Sequence, residues 1–363
     1  MALVHRSGSA TGAGPAGEHS CGMAHFSRVR GPGELIATIP HLLGFHPRDS
    51  LVVVALTKGG QVDGCCRLDL SDVVTGQATE PVAGFLRSSA ASCLLVGYES
   101  VRGAARHPLD VVARLAEEEN VSVTARLTVC DGRWWIGRVN GPGEPVPRPE
   151  DVPTVVALIA EGSSPLPDRD SVRRLLAEQP ERSQEVRSCL DEALELRPSG
   201  AVRRSVVGWQ GLTQPAGESW SPSPAVIASM GISLLDHDWR DGVIAWLVPG
   251  SLSLGRLPSS TRVLLRRSLP ARSVLPGSEV LLSRLGLLCG GTPDAVPAVA
   301  AEVLALTAAV AWYAGHGAIA GDACTRALGV HPEHRMSLLL AALVEHGVRP
   351  PLIPERATDS ATA

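Results

Sequence analysis

The 363-residue chain carries 33 basic and 37 acidic side chains, which gives a net charge of −4 at pH 7. Because nucleic-acid binding relies on a surplus of basic side chains to neutralise phosphates, this balance disfavours a nucleic-acid partner. A hydrophobic fraction of 44% predicts a folded protein, and the apolar run at residues 303–315 is shorter than the roughly 20 residues of a transmembrane helix, so no membrane partner is expected.

The numbers and positions of lysine and cysteine exclude further classes of binding site and catalysis. The single lysine, Lys58, is followed by two glycines, so the chain lacks the Gly-Lys-Ser/Thr of a phosphate-binding loop, and lysine-based covalent catalysis is disfavoured. The eight cysteines are scattered without a Cys-x-x-Cys pair, and some lie inside apolar runs. We therefore expect reduced, buried thiols and a cytoplasmic protein.

Residues 1–30 are rich in Gly, Ala and Ser without an apolar period, which predicts a disordered tail. Spaced glycines at 12–17 match a dinucleotide-binding pattern, but no strand precedes them and Pro15 interrupts the turn, so this site is disfavoured. A second polar tail is predicted at 351–363.

Residues 31–140 alternate between strand and helix patterns. The β-branched run at 50–56 predicts a buried strand, and the Lys58-Gly59-Gly60 and Asp131-Gly132 turns predict hairpins. The predicted elements are a helix at 33–43 bent near Pro40, strands at 50–56 and 62–70, a helix at 78–91, a strand at 93–98, a helix at 104–119, and strands at 121–129 and 134–139. This order predicts an α/β domain with a mixed sheet.

A Gly/Pro-rich linker at 141–151 leads into residues 152–350, where the strand pattern largely disappears and an all-α domain is predicted. Helical spacing occurs at 152–161, 170–178, 184–196, 223–235, 239–247 and through most of 259–346, with a loop near 197–222. We expect each of the two domains to bury an apolar interior of its own.

The C-terminal part has the pattern of a tetratricopeptide-like helical hairpin. A helix is predicted to start at Thr292-Pro293-Asp294, with Thr292 as its cap, and to turn at Gly315-His316-Gly317. Small residues at 320, 324 and 327 allow a close approach of the next helix. Only one such unit is visible, so ordinary helical packing is favoured over a repeat array.

The segment Ile-Pro-His-Leu-Leu-Gly-Phe-His-Pro-Arg-Asp-Ser-Leu-Val-Val at 39–53 resembles the signature of an actinobacterial family, domain of unknown function 4192. Further segments fit this family in the same order, at 66–70, 166–169, 238–241, 311–318 and 326–328. Many members carry a Cys-Cys-Pro after the Asp-Gly-Arg-Trp hairpin, where this chain has Asn140-Gly141-Pro142-Gly143. The resemblance supports the predicted fold and implies no activity.

A polar turn between the first helix and the first strand of the α/β domain supplies His41, His46, Asp49 and Ser50. These residues are candidate ligand-binding groups in a cleft beside a strand end. The alternative, which we favour, is a rigid connection in which Gly and Pro set the backbone and Asp49 or Ser50 binds loose amides.

Two Arg/Asp pairs are further candidates for ligand binding. Arg67 and Asp69 share one face of a strand and either form an ion pair, which we favour, or bind an anionic ligand through the guanidinium group. Arg240 and Asp241, near a helix start, have the same two interpretations.

Four histidines at 316, 331, 334 and 346 lie in the C-terminal helical region. A zinc site needs three or four converging ligands, and these positions give no reason to converge, so we expect no metal and no cofactor. Neither a Gly-x-Ser-x-Gly nor a His-Glu-x-x-His motif occurs.

Three functions stay open. The first is a non-catalytic protein that binds a small ligand or regulates another process. The second is a hydrolase or transferase that acts on an anionic small molecule through Arg67, Asp69, His41 and Ser50 near the domain junction. The third is a protein-interaction scaffold that uses the C-terminal helices. The sequence identifies neither a protein partner nor an oligomeric state.

Overall fold

The three-dimensional structure is a computed structural model. It describes a mixed β-sheet followed by a region of packed helices. The described residues are 2–4, 30–89, 91–137, 139–160, 162–194, 198–215, 218–270, 277–346, 348 and 350.

Six consecutive strands between residues 50 and 145, together with a short strand near the N-terminus, form one sheet. The strands are β1 (Ala2–Val4), β2 (Ser50–Leu56), β3 (Val62–Asp69), β4 (Ser92–Tyr98), β5 (Ser122–Cys130), β6 (Arg133–Ile136) and β7 (Glu144–Pro145). Their order is β1-β3-β2-β4-β5-β6-β7. Strands β4 and β5 are parallel and the other neighbouring pairs are antiparallel, which confirms the predicted mixed sheet.

Strands β2 and β3 pair antiparallel and form the N-terminal hairpin of the sheet. All seven residues of β2 are buried because both faces of the sheet are covered, which explains its continuous apolar run. The turn to β3 uses Gly60 with φ 73°, a conformation that favours glycine. The predicted turn at 58–60 is therefore confirmed.

One face of the sheet is covered by three helices. They are α2 (Leu70–Val74), α3 (Thr79–Ser89) and α4 (Arg106–Glu118). Leu51 and Val53 of β2 point toward this layer and join Phe85 of α3 and Val112 of α4 in one apolar cluster. Since side chains alternate along a strand, the neighbouring residues of β2 face the opposite layer.

The opposite layer contains α1 and the helical region. These helices are α1 (Pro32–Leu43), α5 (Pro153–Ala160), α6 (Arg169–Leu176), α7 (Pro180–Leu194), α8 (Pro198–Gly211), α9 (Pro224–Ser233), α10 (His237–Leu247), α11 (Ser259–Ser268), α12 (Ser278–Gly291), α13 (Pro297–Tyr313), α14 (Gly317–Val330) and α15 (Arg335–Glu345). Helix α13 is central, since every residue from 299 to 312 is buried. The predicted helical C-terminal region is confirmed.

The sheet and the helical region share a single apolar core. Val52 and Val54 of β2 belong to the same buried cluster as Trp209 of α8 and Leu304 of α13. This differs from the expectation that each half buries an interior of its own. The reason is that the second face of the sheet is apolar along its central strands and is covered by helices from the rest of the chain.

Two local predictions were wrong and a third was incomplete. Residues 198–211 form α8, although a loop was predicted near 197–222. Thr292 ends α12 and donates a hydrogen bond to the Leu288 carbonyl, 2.8 Å away, whereas α13 starts at Pro297. The predicted linker at 141–151 contains β7, which pairs with β6 and extends the sheet.

The predicted tails lie largely outside the described residues. Within the first, residues 2–4 form β1 and pair antiparallel with β3. Residues 5–29 and 351–363 are outside the described part of the chain. Among the described helices, none combines the length and the apolar character needed to cross a bilayer.

Candidate functional site

Arg67, Asp69 and Ser50 meet at one end of the β2/β3 pair. The Arg67 guanidinium donates from Nη1 to Asp69 Oδ2 at 2.9 Å and from Nη2 to Asp69 Oδ1 at 2.5 Å. Its Nε donates to Ser50 Oγ at 2.8 Å, and the Ser50 hydroxyl donates to the Arg48 carbonyl at 2.5 Å. The guanidinium, the carboxylate and the hydroxyl therefore have their hydrogen-bond partners within this group.

The burial of this pair is asymmetric. The Arg67 side chain is only 5% exposed, whereas that of Asp69 is 44% exposed. The guanidinium carbon also lies 5.9 Å from the centre of the Phe45 ring. Because the adjacent carboxylate already balances the guanidinium charge, Arg67 lacks the free charge that an anionic ligand would require.

Asp49 fixes the strand ends beside this pair. It has φ 42°, a strained conformation for a non-glycine residue. Its carboxylate accepts hydrogen bonds from the Ser100 amide at 2.9 Å and the Ser100 hydroxyl at 2.7 Å. These bonds lower the pKa of Asp49 and tie the start of β2 to the end of β4. This arrangement has the features of the rigid connection between α1 and β2 that the sequence favoured, in which Asp49 binds a loose amide.

His41 lies apart from this group and bonds to the helical region instead. Its Nδ1 is 2.8 Å from Ser163 Oγ, in the segment that follows α5. The Ser164 amide, next in the chain, donates to the carboxylate of Glu279 in the first turn of α12. The Ser163 side chain lies near the same carboxylate and favours its charged form. Three distant segments therefore meet around Ser163 and Ser164.

The backbone after α1 holds these segments together. The Leu166 amide donates to the Gly44 carbonyl at 2.8 Å, and the His46 amide donates to the Leu166 carbonyl at 2.9 Å. Gly44 has φ 77°, and a Cβ added there would lie 3.2 Å from Nδ1 of His316. Glycine at this position thus allows the turn between α13 and α14 to approach α1.

His316 completes the group through α12. Its Nε2 lies 3.4 Å from Ser278 Oγ, and Ser278 precedes Glu279 in the chain. We refer to His41, Ser163, Ser278, Glu279 and His316 as the junction cluster. It gathers side chains from α1, the segment after α5, α12 and the turn between α13 and α14.

Burial favours the neutral forms of the titratable groups here. Desolvation lowers the pKa of His41, and the nearby His46 lowers it further. Desolvation also lowers the pKa of His46, with Arg48 adding to the effect. Desolvation raises the pKa of Glu279, although its bonds to Ser164 and Ser163 oppose the rise. Perturbed groups that gather at one place are typical of functional sites.

The surroundings of Ser163 favour one direction for its hydrogen bond with His41. The Glu279 carboxylate attracts the proton of the Ser163 hydroxyl, which leaves the hydroxyl oxygen to accept from His41. We therefore expect His41 to carry its proton on Nδ1 and a lone pair on Nε2. Among the described residues, no group bonds to this Nε2, so it is a free hydrogen-bond acceptor.

Arg240 and Asp241 belong to a second polar group inside the helical region. Arg240 donates from Nη2 to Asp241 at 2.8 Å, which fits the predicted ion pair. Its Nη1 lies 3.1 Å from Oε2 of the buried Glu302 on α13. His334 Nε2 is 3.4 Å and His237 Nε2 is 3.6 Å from the other oxygen of Glu302.

Desolvation would raise the pKa of Glu302, but its partners His334 and Arg240 outweigh that effect and lower it. His334 also caps α15, since its Nδ1 accepts from the Ser337 amide. His334 therefore carries a proton on Nε2 toward Glu302. The group has the composition of a structural ion-pair network that joins α10, α13 and α15.

Metal ligation has no support in the described part of the chain, where no group of three or more His, Cys, Asp or Glu side chains could hold an ion. His331 and His334 do approach, with ring centres 5.7 Å apart, while His346 bonds to the Ala342 carbonyl of its own helix. The described cysteines are free thiols and all but Cys189 are buried.

The sequence pointed to His41 and to the Arg240/Asp241 pair but missed Ser163, Glu279 and Glu302 as partners. Ser163 lies in a short loop, and Glu279 and Glu302 lie in helices where single carboxylates are common. Glu302 had one signal, since it is the only charged residue in the apolar stretch 295–315. Nothing local distinguishes Ser163 or Glu279.

No curated protein and no solved structure matches the chain. The family model described as Domain of unknown function (DUF4192) matches residues 32–351, nearly the whole chain. This protein therefore belongs to that family.

Proposed function

We propose that this protein binds a small polar molecule at the junction cluster and acts through binding, as a regulatory or carrier protein, without catalysing a reaction on it. The observation that carries the proposal is the hydrogen-bonded path from His41 to Ser163 and, through the adjacent Ser164 amide, to Glu279. It joins α1, which packs on the sheet, to α12 of the helical region.

The path supports binding because it orients a free acceptor. With Nδ1 bonded to Ser163, the Nε2 lone pair of His41 accepts a hydrogen bond from a hydroxyl or amide of a ligand. His46 adds a second imidazole whose neutral form is favoured. We therefore expect a ligand that is neutral where it contacts these rings.

The geometry gives less support to an enzyme that acts on an anionic substrate. That hypothesis required Arg67, Asp69, Ser50 and His41 to work together, but the first three bond to one another and His41 bonds to Ser163.

A scaffold based on a tetratricopeptide-like hairpin also has limited support. Helices α13 and α14 pack closely through small residues such as Ala320, Cys324 and Ala327, as that hypothesis requires. However, residues 299–312 of α13 are buried on every side, so the hairpin offers no open groove along α13 for a partner.

The experiment is a screen of small hydroxyl- and amide-bearing molecules against protein labelled with ¹⁵N in its histidines. Binding at the junction cluster should shift the signals of His41, His46 and His316 together. His107 on α4, which is exposed, serves as the internal control and should not move. The variant Ser163→Ala should abolish these shifts, because His41 would lose the partner that orients it.

The proposal fails if no molecule shifts the junction histidines. It also fails if the shifts survive in Ser163→Ala or occur equally at His107.

A further inference from the structure

Helix α8 presents arginines on its exposed side. Its opposite side packs on α9, where Gly208 allows Met230 to approach and Trp209 is fully buried. Arg203, Arg204 and Val207 face solvent, and the Val207 side chain is 67% exposed. Since residues three and four apart share a helix face, Val207 lies one turn from both arginines.

Helix α11 repeats this arrangement. Leu265 is buried against Gly242 of α10, whereas Val263, Arg266 and Arg267 are exposed. Val263 lies one turn from both of its arginines. Each helix therefore carries two exposed arginines around one exposed valine.

One hydrogen bond joins the C-terminal ends of the two helices. Gln210, exposed on α8, donates from Nε2 to the Ser268 carbonyl at the end of α11, over 2.7 Å. Gln210 follows Val207 by one turn, and Ser268 follows Arg267 directly. We call the surface formed by Arg203, Arg204, Val207, Val263, Arg266 and Arg267 the basic face.

The charge of the basic face is not balanced locally. Residues 198–215 and 242–270 contain no Asp or Glu, although the chain as a whole carries more acidic than basic side chains. Within the described residues, none of the four arginines forms an ion pair. Surface arginines without nearby carboxylates create a positive potential that attracts acidic partners.

We infer that the basic face binds an acidic segment of another protein, in which carboxylates alternate with aliphatic side chains. The two exposed valines among the arginines offer contacts to aliphatic groups on the partner, and a phosphate backbone has none. Binding to a bilayer requires a broad apolar helix face that is exposed. The apolar sides of α8 and α11 are buried in the protein, as Trp209 and Leu265 show. An acidic polypeptide with aliphatic side chains complements both the arginines and the valines of the basic face.

The test is fluorescence anisotropy with a labelled synthetic peptide of alternating glutamates and leucines. Comparison probes are a peptide with serine in place of leucine, single-stranded DNA of equal charge, and phosphatidylserine vesicles. We expect the leucine peptide to bind most tightly and its affinity to fall with added salt. Arg203→Glu combined with Arg266→Glu should weaken binding roughly tenfold.

The matched control reverses two exposed arginines elsewhere, Arg106 on α4 and Arg187 on α7, through Arg106→Glu combined with Arg187→Glu. It changes the net charge equally and should leave the affinity within about twofold. Equal weakening by both variants, or equal binding of the serine peptide, would show general charge attraction and overturn the inference. Tighter binding of DNA or vesicles, or no binding of the leucine peptide, would also overturn it.

Discussion

Glu302 and Arg240 illustrate how single residues set the stability of the helical region. The Glu302 side chain is 7% exposed and that of Arg240 is 14% exposed, so neither charge is well solvated by water. Each depends on the other, and Asp241, His334 and His237 supply the remaining polar contacts. Removal of Arg240 leaves the buried Glu302 carboxylate without its permanent countercharge, because a histidine balances the charge only when it is protonated, and this is more costly than the loss of the bond itself.

We therefore expect Arg240→Ala to lower the free energy of unfolding by about 3–5 kcal/mol. The matched control is Arg173→Ala, because Arg173 pairs with Asp170 on an exposed surface of α6. That change should cost about 0–1 kcal/mol, since water screens exposed pairs. Urea denaturation followed by circular dichroism measures both. Equal losses in the two variants would contradict a buried network.

The pH dependence of stability follows from His41 and His46. Desolvation lowers the pKa of both below the ordinary value of 6.5, although part of His46 is exposed at the surface, so the unfolded chain binds protons more readily than the folded one. Their contribution to stability is complete above pH 6.5 and is lost as the pH falls toward their folded pKa values.

The double variant His41→Asn with His46→Asn should therefore show a weaker decline in the free energy of unfolding as the pH falls below 6.5. Urea denaturation at a series of pH values measures this slope. His107→Asn, at an exposed site, is the control and should retain the wild-type slope. A double variant with an unchanged slope would show that both histidines titrate normally in the folded protein.

At the scale of elements, the close contact between β4 and α4 depends on Gly97. A Cβ added there would lie 2.5 Å from Cβ of Ala105, at the start of α4. This neighbour is a short side chain on the backbone and has no rotamer that would move it away. The contact positions the layer of α2, α3 and α4 on the sheet.

Gly97→Ala should therefore destabilise the protein by about 1–3 kcal/mol through overpacking. The control is Gly59→Ala, where the nearest atom to the added Cβ is Thr57 Oγ1 at 3.7 Å. Its effect should stay within about 0.5 kcal/mol. Thermal denaturation compares the two variants, and a tolerated Gly97→Ala would mean that α4 moves freely on the sheet.

Elements with a strong local pattern were predictable from the sequence, and those that depend on distant contacts were not. The β-branched run at 50–56 gave the bounds of β2 because the strand is buried on both faces. Helix α8 was missed because glycine, serine and valine weaken its helical pattern, and the helix is stabilised by packing on α9. Thr292 resembles an N-cap locally, but α12 continues to Gly291 and uses it as a C-cap.

The candidate site was predictable only in part for the same reason. His41 and the Arg67/Asp69 pair stand out because polar residues next to strands are conspicuous. Ser163 lies 122 positions from His41, and no local pattern connects the two. Only the fold brings the loop after α5 and the first turn of α12 to the end of α1.

At the scale of the whole molecule, the shared core predicts that the sheet and the helical region unfold together. Val52 and Val54 of β2 pack in the same cluster as Leu304 of α13, so loss of either part exposes the apolar surface of the other. Hydrogen exchange at increasing urea concentration should give the amides of β2 and α13 the same free energy of opening. Amides of β2 that open well below those of α13 would show two independent units.

The protonation of His41 is the most direct test of the proposed binding site at the junction cluster. Two-bond ¹H–¹⁵N correlation spectra of histidine-labelled protein distinguish the Nδ1–H form from the Nε2–H form. We predict that wild-type His41 carries its proton on Nδ1 and titrates with a pKa below the ordinary value of 6.5. Glu279→Gln should weaken the preference for the Nδ1–H form, because Ser163 would lose the carboxylate beside it. A wild-type His41 in the Nε2–H form that titrates at the ordinary histidine pKa would contradict the account.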